Sequence, residues 1–169
     1  PFNITWADQS TATKYITASI IDNQVSNSSN TISFSIASSS VSAIGPSSSF
    51  VLTVLDYEEG YPSFTSSSYT TGEASGSILI YANRISGSNG TLSVSYTTVN
   101  GSALSGTNYT KTTGTLTWTD GVTTTQSFSI PIIYDGVQAN TSFTVNLSNL
   151  STGSFSSYPS AITSSTITI

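Results

Sequence analysis

Phe143-Thr144-Val145-Asn146-Leu147-Ser148 changes from apolar to polar at every step, which is the period of a strand with one face buried. With Phe143, Val145 and Leu147 turned inward, Thr144 and Asn146 fall on the outer face. The same alternation recurs upstream in Phe128, Ile130 and Ile132, in Leu116 and Trp118, and in Leu92, Val94 and Tyr96. It continues toward the N-terminus in Phe50, Leu52 and Val54, in Ile32, Phe34 and Ile36, in Ile16, Ala18 and Ile20, and in Ile4 and Trp6. Between the runs sit Ser38-Ser39-Ser40, Gly45-Pro46, Gly87-Ser88-Asn89-Gly90 and Asn100-Gly101, all turn chemistry. No window carries a helical stripe. Many short strands with regular turns predict an all-β chain folded as an antiparallel β-sandwich.

The 169 residues are 36% hydrophobic and 7% charged, enough apolar material for one or two small domains. Ser and Thr number 37 and 28, while Lys14, Arg84 and Lys111 are the only cations, so there is no basic patch for phosphate and no nucleic-acid role. The absence of His and Cys removes the Ser-His-Asp and Cys-His nucleophile systems, imidazole or thiolate zinc sites and any disulfide framework. The eight acids are scattered over turns without the paired spacing a glycosidase needs. An enzyme is therefore not expected. No apolar run is long enough for a transmembrane helix or a signal-peptide core, so no membrane insertion is expected, and the start at Pro1 reads as a mature or excerpted piece.

An internal repeat organises the chain. Ile4-Thr5-Trp6-Ala7-Asp8 followed by Ile16 to Ile21 matches Leu116-Thr117-Trp118-Thr119-Asp120 followed by Phe128 to Ile133, 112 residues apart. One sandwich domain is about that long. After a one-residue slip, Ile32, Phe34 and Ile36 fall on Phe143, Val145 and Leu147, and Phe50 to Leu55 corresponds approximately to the closing segment Ser165 to Ile169. Residues 1–56 thus read as the second half of a sandwich and residues 57–169 as a whole one. The shared strand positions of Trp6 and Trp118 make both core-facing.

Three further stretches are specific: Tyr69-Thr70-Thr71-Gly72-Glu73-Ala74-Ser75-Gly76, Ser95-Tyr96-Thr97-Thr98-Val99-Asn100-Gly101-Ser102-Ala103, and Gly106-Thr107-Asn108-Tyr109. With Gly114-Thr115-Leu116-Thr117-Trp118, Ser129-Ile130-Pro131-Ile132 and the opening segment, they resemble a Calx-β domain over most of residues 62–169. Residues 3–56 resemble the back half of a preceding copy. The resemblance implies an immunoglobulin-like antiparallel sandwich, of a kind found in tandem arrays of extracellular adhesion, matrix and surface proteins, often with calcium at one end.

Calcium takes several hard oxygen ligands, carboxylates preferred. The resemblance implies acids in four places, and here Glu73 keeps the first. Asn100 and Asn108 stand where the family has Asp, and the later acidic run is reduced to Asp135. Glu73 and Asp135 form a degenerate calcium site with too little negative charge for tight binding, and no other cofactor is expected. The cluster Asp56-Tyr57-Glu58-Glu59-Gly60 reads as a polar hinge between the two units.

Both substituted positions begin N-glycosylation patterns, Asn100-Gly101-Ser102 and Asn108-Tyr109-Thr110. The pattern also occurs at Asn3, Asn27, Asn89, Asn140, Asn146 and Asn149, and a surface this poor in charge needs hydration from some source. Covalent glycans are the expected modification. A half-sandwich leaves strand edges and the apolar residues Ile20, Ile32, Phe34 and Leu52 uncovered, so a strand or half-domain from a neighbour must complete it. The expectation is a structural protomer of an extracellular or cell-surface fibre, its partners neighbouring copies of itself joined head to tail. The alternative is an adhesive or carbohydrate-binding module within a longer tandem array, with Tyr57, Tyr61, Tyr69, Tyr109, Tyr134 and Tyr158 as its candidate contacts.

Overall fold

The computed structural model describes residues 4–7, 9–21, 29–37, 48–136, 140–151, 155 and 158–169. Ten strands follow in order: β1 (Asn30–Ser35), β2 (Ser49–Val54), β3 (Glu59–Phe64), β4 (Ser68–Thr70), β5 (Ser77–Gly87), β6 (Leu92–Val99), β7 (Thr113–Trp118), β8 (Gln126–Pro131), β9 (Ser142–Ser148) and β10 (Ser164–Thr168). A 3₁₀ turn, Glu73–Ser75, lies between β4 and β5. From β3 onward the strands make a two-layer sandwich, with a five-stranded sheet ordered β4-β10-β9-β6-β7 facing a three-stranded sheet ordered β3-β5-β8. All pairings within the sandwich are antiparallel except β4 with β10.

The period-two pattern sets which side chains are enclosed. On β9, Phe143, Val145 and Leu147 are buried and the residues between them are not. They meet Leu92, Val94, Leu116, Trp118 and Ile167 of their own sheet and Phe64, Ile80, Ala82, Phe128 and Ile130 of the facing one. Tyr96 stacks on Phe128 across the layers, with ring centroids 3.7 Å apart, and Tyr109 stacks on Phe143 at 3.9 Å. Each ring removes a large apolar area from water, the dominant favourable contribution to folding.

Ahead of the sandwich, β1 and β2 pair only with each other among the described residues. Their register places Ile32 opposite Leu52 and Phe34 opposite Phe50, as β9 and β10 place Phe143 opposite Ile167 and Val145 opposite Ser165. The repeat read from the sequence assigns those same equivalences. Burial differs: Ile32 and Leu52 are 37% and 39% exposed, while Phe143 and Ile167 are at 0%.

Two expectations fail in this region. Residues 4–7 and 9–21 form no strand, and Trp6 is 47% exposed where Trp118 is fully enclosed. The reason lies in the pairing scheme: β7 bonds only to β6 and β8 only to β5, both from the front of the sandwich. Described residues 4–37 and 48–56 contain no counterpart of β5 or β6, so the equivalents of β7 and β8 have nothing to pair with. The turn between them forms nonetheless. Trp6 Nε1 donates to the Ala12 carbonyl at 2.6 Å, as Trp118 Nε1 donates to Thr124 at 2.8 Å. Ser10 N donates to Ala7 O and Val122 N to Thr119 O, both at 3.0 Å. Gln9 and Gly121, equivalent in the repeat, both adopt positive φ, 60° and 75°.

Candidate functional site

At one end of the sandwich the β4–β5, β6–β7 and β8–β9 connections converge. Ile132 N donates to Gly76 O at 3.0 Å and Ile133 N to Asn108 O at 2.9 Å, tying the three together. This scaffold brings Glu73, Asn108 and Asp135 into one cluster. Asn108 Nδ2 donates to Asp135 Oδ2 at 2.7 Å, while its Oδ1 accepts the Leu104 N–H at 2.8 Å. Partial burial pushes the Glu73 carboxyl above its ordinary value, and the nearby charge of Asp135 and a hydrogen bond between the two carboxyls push it further.

Asn100 serves the same end from beneath. Its Oδ1 accepts the Ser105 N–H at 3.0 Å and the Tyr109 hydroxyl at 2.7 Å, so both acceptor positions of that oxygen are used. Tyr109, an expected surface contact, is instead buried against Phe143. A stacked ring with a bonded hydroxyl anchors the loop from inside the core.

The fit to a cation can be judged from the Asn108 amide. Because Oδ1 faces a backbone donor, the amide cannot turn over without setting N–H against N–H, and Nδ2 must point at Asp135. A calcium ion needs an oxygen where this site presents a donor. Among the described residues no group of three or more His, Cys, Asp or Glu side chains gathers around one point. The described residues do not fit a calcium cage; hydrogen bonds join the loops among them.

The opposite end is held by Arg84, one of the three cations, to which the sequence assigned no role. Arg84, 3% exposed, donates through Nε and Nη2 to the Glu59 carbonyl at 2.8 and 2.6 Å and through Nη2 to Asn89 O at 2.6 Å. Nη1 reaches Gly90 O at 3.0 Å, Thr119 O at 3.3 Å and Val122 O at 3.5 Å. One guanidinium thus fastens the start of β3 to the β5–β6 and β7–β8 turns. Its burial lowers the pKa, opposed by the charges of Asp120 and Glu59. The signal was present in the sequence: Ile78, Ile80, Ala82 and Arg84 occupy one face of β5 by alternation, so an Arg stands at a core position.

The glycosylation candidates fall in different settings. Asn146 lies on the outer face of the five-stranded sheet and accepts a hydrogen bond from Ser164 Oγ at 2.7 Å. Asn140 and Asn149 are exposed, Asn149 with φ 50°, and Asn89 is half-buried. Asn100 is exposed in its loop, whereas the Asn108 Nδ2 that would carry a sugar is bonded to Asp135. Asn3 and Asn27 lie outside the described residues.

Comparison with known proteins agrees with this architecture. Residues 56–169 match the family model of the Calx-beta domain. The chain resembles the apo form of the Calx CBD1 domain, with a TM-score of 0.56 and 28% identity over 64% of this chain and 93% of that one. It also resembles the calcium binding domain CBD12 of CALX1.1, with a TM-score of 0.57 and 29% identity, covering 64% of this chain but only 44% of that one. The Calx CBD2 domain shares the fold at 18% identity, with a TM-score of 0.56 over 67% of this chain and 87% of that domain. No curated protein sequence matches the chain. The family match spans the whole two-sheet sandwich, and the chain belongs to the Calx-β domain family.

Proposed function

We propose that this protein is a non-enzymatic structural unit of an extracellular or cell-surface fibre built from Calx-β sandwiches. In this reading residues 1–56 are the back half of a sandwich, and a neighbouring unit supplies its front half by strand complementation. The observation that supports it is the recurrence of back-half geometry, turn and hairpin register alike, ahead of a sandwich that is itself closed. Ile32, Leu52 and Phe50 wait on one hairpin at 37%, 39% and 61% exposure. Burying a side chain of that size is worth about 1.5–3 kcal/mol, enough for a few such residues to hold a complementing segment in place. Such a contact is heterologous and extends into a thread unless rotation closes it. Glycans on Asn146, Asn140, Asn149 and Asn89 would hydrate a surface nearly without charge, and the calcium that names related domains would have no structural part here.

The test is to place a second copy of residues 57–112 ahead of Pro1, in a Trp118→Phe background that leaves Trp6 as the sole indole. The reading expects Trp6 emission to shift to the blue and acrylamide quenching to drop. Unchanged emission would refute it. For the unextended chain, negative-stain imaging should show threads at high concentration if another molecule is the donor, and intact mass of native material should exceed the bare 17.6 kDa if sugar is attached.

A further inference from the structure

Where β3 begins and β5 ends, the ladder between them is distorted. Glu59 pairs with Gly87 and Tyr61 with Ile85, yet Gly60 and Ser86 between them both adopt left-handed backbone, φ 70° and 61°. Glycine tolerates this; for serine it is an uncommon and strained state of the kind that clusters at binding sites. The two strand ends and the segment Tyr158–Ser160 enclose a cleft of about 180 Å³ lined by Glu58, Gly60, Tyr61, Ser86, Tyr158, Pro159 and Ser160. Tyr61 forms its floor, 9% exposed, with its hydroxyl 2.8 Å from Ser160 Oγ. Tyr158 stacks on Tyr61 with centroids 4.4 Å apart and planes 20° from parallel, and it is half-buried.

We propose that this cleft binds one ring of a neutral saccharide. Each lining group matches a feature of such a ring. Tyrosine offers a flat apolar wall with a polar tip, suited to the C–H face of a sugar. The Ser86 and Ser160 hydroxyls both donate and accept, as sugar hydroxyls do. No cation lines the cleft, because Arg84 nearby is buried and turned to backbone carbonyls, so sulfated or phosphorylated sugars are disfavoured. A volume near 180 Å³ suits a single ring rather than a longer chain end-on. The proposal is independent of the fibre assembly above.

The test is a titration of the isotope-labelled full chain, followed by amide NMR, with methyl β-glucoside, methyl β-galactoside, methyl α-mannoside and N-acetylglucosamine through the millimolar range. One of these should give saturable shifts at Glu58, Ser86, Tyr158 and Ser160. Tyr158→Ala should weaken binding about tenfold or more, and Tyr158→Phe should retain it. The proposal is overturned if none of the four sugars saturates these amides, if the shifts map elsewhere, or if tetramethylammonium saturates them while the sugars do not.

Discussion

Asn108 donates its side-chain N–H to Asp135 across 2.7 Å and so does by hydrogen bonding what a shared cation does between two carboxylates. The orientation of that amide is fixed from behind by the Leu104 N–H. The loop cluster is therefore closed without metal, and its chemistry can be reversed by one atom. Asn108→Asp replaces a bond with repulsion from Asp135 and Glu73, and should lower stability by about 1–2 kcal/mol in chelator. Millimolar calcium should recover most of that loss in the variant and leave the parent unchanged, as thermal melts with and without calcium will show.

Glu73 responds to pH in a direction its surroundings dictate. Its carboxyl titrates above the ordinary 4.5, so the folded protein binds this proton more readily than the unfolded chain. The associated stability is present in acid and is lost as pH rises through the raised value. Glu73→Gln removes that loss. The variant should melt higher than the parent at neutral pH, and the difference should close as pH falls below the ordinary glutamate range.

Arg84 joins the start of β3 to the β5–β6 and β7–β8 turns, and Asp120 Oδ1, accepting the Gly90 N–H at 2.7 Å, links those two turns as well. Arg84→Ala leaves the carbonyls of Glu59, Asn89 and Gly90 without their donor in a closed site, and should cost more than about 3 kcal/mol in urea unfolding. Arg84→Lys keeps the charge but lacks the planar fork, and should recover less than half of the loss.

Gly114 faces Tyr96 across the β6–β7 pair, and a Cβ there would come 2.6 Å from Tyr96 Cζ. The ring occupies that space because it stacks on Phe128. Gly114→Ala should displace it and destabilise the sandwich by about 1–3 kcal/mol, with a loss of near-ultraviolet circular dichroism from the Tyr96–Phe128 pair.

Alternation alone identified the strands that bury Phe128, Phe143 and Val145, because one-sided burial writes itself into sequence at a period of two. The same rule misplaced Trp6, since a strand pattern states what a segment will do if a neighbour is present and not whether the neighbour exists. Turns are more local, and the Trp6–Ala12 bond forms without its flanking strands. Glu73, Asn108 and Asp135 were legible as a group only through family resemblance; their distance in sequence conceals their contact. The polarity of the Asn108 amide depends on the Leu104 backbone and was not readable from residue types. Tyr109, a candidate surface contact by sequence, has its ring stacked on Phe143 in the core, a placement that its polar loop neighbours do not signal.

The parallel pairing of Ser68–Thr70 with Thr166–Thr168 has a consequence for how the molecule is made. An early strand of the sandwich must wait for its last one, so the sheet cannot acquire that edge until residues 164–168 have been made. Such distant closure slows folding and leaves nascent β-structure vulnerable to wrong partners in the interval. In a row of similar units, each would spend that interval beside a sibling carrying nearly the same strands, and a sequence poor in charge offers little electrostatic repulsion to keep them apart.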